Sequence, residues 1–148
     1  MMRPTLNKDL ILPGLNIQIP WSTQILNGSK TIETRNYPLP KHYIDIPIAI
    51  VETPGLLGLF KARTVGLVWF SGDIYYETEE AFKEDVLFHH VTSDSEYYWK
   101  SYPKKYGWII SKVVRFMRSV EAPGRRGIVW TGPVSLPSEI VGEDGALV

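Results

Sequence analysis

The feature that most constrains this chain is what it lacks, a regular succession of strands and helices. Its β-branched and aromatic runs are short, unevenly spaced and cut apart by proline and glycine. That pattern disfavours a doubly wound parallel sheet. It predicts an α+β, mainly β fold: a small closed or nearly closed barrel of about six strands with two or more short helices, its strands mostly antiparallel because their connections are short. At 148 residues the chain suits a single core. No internal repeat or low-complexity tract interrupts it.

The runs can be placed one by one. Leu15–Ile19 alternates as a strand does, and Pro20 suits the first turn of a helix because its missing N–H has no partner there. The expected first helix is residues 20–27. Gly28 fits the left-handed position that closes it, and the β-branched stretch 31–37 opens a second strand. Further strands are expected at 45–52, 64–70, 106–117 and 127–130, and a helix at 78–90 with Thr78 as cap. The Pro/Gly-punctuated end reads as a loosely held tail. The chain divides into an N-terminal extension (1–13), the domain (14–132) and the tail (133–148).

Composition narrows the function. Sixteen basic residues balance sixteen acidic ones, which argues against a polycation that coats nucleic acid through bulk charge; any such site must be a local patch. There is no cysteine, hence no disulfide frame or thiolate metal site. The adjacent His89 and His90 point about 100° apart on a helix and cannot share one metal, so no metal or other cofactor is expected. One histidine should face the core and the other solvent, with Asp85 close enough to pair with His89. The N-terminus has no secretory pattern and no apolar run approaches the roughly 18 residues of a membrane span, which predicts a soluble cytoplasmic protein without a membrane partner. No phosphate-binding glycine loop, dinucleotide fingerprint or nucleophile elbow occurs.

One octapeptide gathers chemistry: GSKTIETR, Gly28–Arg35. In a strand, Thr31, Glu33, Arg35 and Tyr37 share one face and Ile32 turns to the core. A solvated turn with a surface ion pair of Glu33 with Lys30 or Arg35 explains the charges. So does a cleft in which Lys30 and Arg35 meet phosphate or a base edge, Glu33 orients them, and a base stacks on Trp21 or Tyr37. GRRG at 124–127 is a second place where a turn could hold phosphate.

Taken in order, IQIPWSTQILNGSKTIETRNY, IPIAIVET, TVGLVWF, YGWIISKVVRF and APGRRGIVW resemble the ASCH domain family of the PUA-like barrel superfamily, over residues 14–131. The most specific part is G-x-K-x-x-x-x-R, matched by Gly28, Lys30 and Arg35, with Pro20 and Trp21 before it. The ETR run is similar to the branch containing the ASCH domains of activating signal cointegrators. The resemblance implies a small barrel with a cleft beside the first helix that receives RNA or a nucleotide. Some bacterial ASCH proteins are N4-acetylcytidine amidohydrolases that use the motif lysine, a threonine three positions later and a distant glutamate. Here Glu33 stands in the threonine's place, with Thr31 and Thr34 nearby. Other members are ribonucleases using the same lysine. Two functions follow as expectations: a module binding RNA or a modified nucleotide through Trp21, Gly28, Lys30, Thr31, Glu33, Arg35 and Tyr37, or a hydrolase in which Lys30 and Glu33 do the chemistry. On the cleft reading, removing Lys30 or Arg35 should cost binding and little stability.

Overall fold

The computed structural model describes residues 9–55, 58, 60–123 and 129–148. The 124–127 turn lies outside them. The elements in chain order are β1 (Leu10–Gln18), α1 (Trp21–Leu26), β2 (Ile32–Arg35), β3 (Ile48–Thr53), β4 (Arg63–Tyr76), α2 (Glu79–Glu84), α3 (Val86–His89), β5 (Lys105–Glu121) and β6 (Trp130–Leu136). The strands form one mixed sheet in the order β2-β5-β4-β3-β1-β6. The mainly β reading with short helices holds. The order has two ends, so the sheet is open where closure was expected. No helix among the described residues is long and apolar enough to cross a membrane.

Contacts divide the chain into two compact units. The first comprises Met1–Ser22, Pro47–Leu67 and Val114–Val148. In it β1 runs parallel to β3, with Leu15 opposite Ile50 and Ile17 opposite Glu52, and antiparallel to β6. The parallel pairing is an exception within a fold expected to be mostly antiparallel, and it is possible because residues 19–47 provide a connection long enough to bring the chain back to the same end. β3 is buried from Ile48 to Glu52, as a continuous apolar strand flanked on both sides should be. Its one charge is neutralised: Glu52 accepts from Ser22 Oγ at 2.6 Å and from the Arg63 guanidinium at 2.9 and 3.1 Å.

Two strands begin or end away from their expected places, both because of proline. β1 starts at Leu10 rather than Leu15 and absorbs Pro13 in a register shift between Leu12 and Gly14. The last strand covers Trp130–Leu136, reaching into the segment expected as a tail. It tolerates Pro133 because β6 ends the sheet order. Beyond it, Val141 bridges Leu147 and Gly142 bridges Phe116.

The second unit comprises Thr23–Ile46 and Val68–Val113. β2 pairs antiparallel with β5, Ile32 opposite Ile109 and Arg35 opposite Tyr106. The expected helix at 78–90 is two helices. Thr78 caps the first by accepting from Ala81 N at 3.2 Å, and Phe82 packs into a cluster with Tyr76 and Val91. His90, at φ 62°, ends the second in the left-handed region.

Gly107 shows how tightly β5 passes this cluster: a Cβ there would lie 2.7 Å from Ile32 Cγ2 and 2.8 Å from Tyr76 Cε2. Both neighbours are buried and cannot retreat. Gly107→Ala is expected to cost about 1–3 kcal/mol by overpacking, read as a lowered melting temperature. Gly132→Ala, which meets nothing within 4 Å, should leave the melting temperature nearly unchanged.

Candidate functional site

The chain reaches the octapeptide through a closed helix end. Gly28 sits at φ 83°, its N–H donates to Ile25 O at 3.1 Å, and Lys30 N donates to Gln24 O at 3.0 Å. A residue with a Cβ pays a steric penalty at that φ, which explains the glycine. The next residue is clamped from two sides: Thr31 N donates to Phe88 O and Ile110 N donates to Thr31 O, each at 2.9 Å. Lys30 is therefore delivered to a fixed place. The Thr31 side chain is exposed.

That place is not the solvated turn that charge alone suggested. Lys30 is 1% exposed and Glu33 6%. The Lys30 ammonium donates to His89 O and lies 3.7 Å from Glu33 Oε1. Burial pushes its pKa down, opposed by Glu33 and reinforced by Arg35. Glu33 is shared: Oε2 accepts from Arg35 Nη2 at 3.1 Å and Oε1 from Thr34 N at 3.2 Å. The carboxylate thus holds two cations in one place, as the sequence expected, but inside the protein.

His89 supplies more than its carbonyl. Its ring is buried and stacks on Phe82 at 4.0 Å. Val91 N donates to Nδ1 at 2.9 Å, so Nδ1 carries no proton; Nε2, 2.7 Å from Phe82 O, is the donor. The imidazole is neutral, and burial lowers its pKa. The expected division holds for one ring only: His89 is buried, but His90, expected to face solvent, is half-buried with Nδ1 2.7 Å from Gln24 Oε1. Asp85 accepts instead from Tyr76 OH at 2.7 Å. Among the described residues no group of three His, Asp or Glu is arranged to hold a metal ion.

β2 ends at Arg35, so Tyr37 is not on the strand, yet it comes to the same site. Its ring meets Trp108 edge to face at 5.6 Å, and Trp108 Nε1 donates to Tyr37 O at 3.1 Å. The Arg35 guanidinium lies 5.8 Å from the Trp108 ring centroid. The Tyr37 hydroxyl is buried without a hydrogen-bond partner of good geometry, and burial raises its pKa against the pull of Arg35. Trp21, the other expected stacking residue, is half-buried in the first unit.

Two residues of β5 belong to the site without having been singled out. Trp108 stands opposite Glu33 in the β2–β5 register. Lys105 is 6% exposed, and among the described residues its ammonium has no ion-pair partner. Burial lowers its pKa, then Lys100; Glu33 opposes, and Arg35 adds to the lowering. The signal was present in the pair Lys104–Lys105 beside the aromatic run, but nothing local says which lysine turns inward.

No family profile matches the sequence, and no curated protein matches it. Solved structures do. The chain is similar to the ASCH protein of Zymomonas mobilis, with 15% identity over 74% of this chain and 72% of that one and a TM-score of 0.58. A serine-to-alanine variant of that protein aligns with 14% identity over 81% of this chain and 86% of that one, at a TM-score of 0.62. A tyrosine-to-phenylalanine variant gives 15% identity over 74% of each chain and a TM-score of 0.58. The fold is that of an ASCH domain.

Burial changes what substitutions should do. Glu33→Gln leaves the Lys30 ammonium buried without a counter-charge, a loss on the order of 3 kcal/mol, whereas Lys30→Met leaves Glu33 still paired with Arg35 and should cost less. Denaturant unfolding of the two variants checks the order. His89 adds a pH dependence. Its folded pKa lies below the ordinary 6.5, so the unfolded chain binds the proton more readily; stability is complete above that value and is lost as pH falls below it. The melting temperature should drop between pH 7 and pH 5, and by less in His89→Gln.

Proposed function

We propose that the protein is a nucleic-acid-binding module that receives RNA or a modified nucleotide at the Gly28-x-Lys30-x-x-x-x-Arg35 site. The observation that carries the reading is Lys105. A lysine 6% exposed that makes no ion pair among the described residues is costly to keep charged, and an anion placed against it and Arg35 would supply the missing charge. Phosphate fits, since Arg35 offers a planar donor fork and Lys105 a point charge. Glu33 and Lys30 fix the position of Arg35 from behind. Gly28 and Thr31 shape the approach, and Tyr37 remains a proposed stacking face beside Arg35. The ASCH-domain fold supports the same reading, because the resemblance implies a nucleotide cleft at this motif.

Hydrolysis of a modified cytidine or of RNA is the alternative implied by the resemblance. It would ask Lys30 or Glu33 to exchange protons, while the Lys30 ammonium is bound to His89 O and Glu33 holds two cations and a backbone N–H. Binding is therefore preferred.

The test is titration of nucleotides, single-stranded RNA and duplex DNA, with turnover followed in parallel. Arg35→Ala and Lys105→Met should each weaken RNA binding about 10- to 100-fold, on the order of 1.5–3 kcal/mol for a charge-assisted bond, and single-stranded RNA should bind better than duplex DNA. Affinity should fall as pH rises through the lowered Lys105 pKa, and this fall should shrink in Lys105→Met. Unchanged affinity in both variants overturns the reading, and turnover abolished by Glu33→Ala moves it to the hydrolase.

A further inference from the structure

Resting on that reading, we propose that the ligand is a polynucleotide strand rather than a free nucleotide, and that the nucleotide next to the bound one stacks on a ledge formed by Tyr75 and Tyr106. The ledge is continuous with the site. Tyr106 follows Lys105 in β5 and stands opposite Arg35 in the β2–β5 register. Its ring lies 5.2 Å from that of Tyr75, tilted by 33°. Tyr75 is 46% exposed, so it has an open aromatic surface at the edge of a cationic site.

The surrounding charge suits a phosphate backbone. Lys104 is exposed, and its ammonium lies 5.7 Å from the Tyr75 ring centroid. Among the described residues it makes no ion pair. Lys104 and Lys105 follow each other, one exposed beside the ledge and one buried. A cation resting on an exposed ring is held weakly, and a nucleobase stacks on the same ring more strongly. An arriving base would displace Lys104 from Tyr75 and leave its ammonium free to meet the phosphate between the two nucleotides. Stacking of this kind tolerates any base, so the ledge adds affinity without adding sequence preference. A duplex cannot use it, because its bases are already stacked on one another.

Uridine monophosphate and a hexauridylate are titrated against the unmodified protein, Tyr75→Ala and Tyr75→Phe. The hexamer should bind the unmodified protein at least about tenfold more tightly than the monomer. Tyr75→Ala should remove most of that advantage while leaving monophosphate affinity unchanged, and Tyr75→Phe should keep it. A length advantage that survives Tyr75→Ala overturns the ledge, as does monophosphate binding with no length advantage; in both cases the nucleotide site itself stands. If neither probe binds the unmodified protein, the site and the ledge fall together.

Discussion

An ammonium group removed from water is costly unless it is given oxygen atoms and a counter-charge. Lys30 meets that requirement with one carbonyl and one carboxylate, from His89 and Glu33. The second unit is arranged so that both are in reach. α3 must end at His89 for its carbonyl to face Lys30, and the Phe82 and Val91 contacts of the imidazole hold that end in place. Glu33, fixed by Lys30, fixes Arg35 in turn. The side chain that meets solvent is thus positioned by a series of contacts that do not.

The parts of this arrangement that local chemistry determines were legible in the sequence. Gly28 announces the end of α1 because few other residues accept its φ, Thr78 announces the start of α2 by its hydroxyl, and the 100° step between His89 and His90 requires that they face different ways. Glu33 and Arg35 fall on the same side of β2 by strand alternation alone. The burial of Lys30 was not legible, since its partner lies fifty-nine residues away and nothing around GSKTIETR encodes that meeting. The same holds for Lys105 and Trp108, brought to the motif by strand pairing. Proline and glycine misled in two places: Pro13 and Pro133 read as boundaries, yet one lies at a bulge and the other in a terminal strand.

The exposed and buried charges divide the work between them. Glu52 in the first unit and Glu33 in the second are both sequestered carboxylates, but Glu52 is satisfied by Ser22 and Arg63, whereas Glu33 is outnumbered by Lys30, Arg35 and the nearby Lys105. A balanced group is mere architecture. An unbalanced one leaves a local excess of positive charge in a chain whose formal net charge is zero.

The parallel pairing of β1 with β3 has a consequence for how such a chain can change. Two parallel neighbours cannot be joined by a tight turn, so the stretch between them, residues 19–47, is required by topology whatever it contains. The motif is written into that obligatory stretch. Its solvent-facing side chains, Thr31 among them, can be exchanged while the β1–β3 and β2–β5 registers stay as they are, so a descendant of this protein can present a different surface beside the motif without having to invent a different sheet.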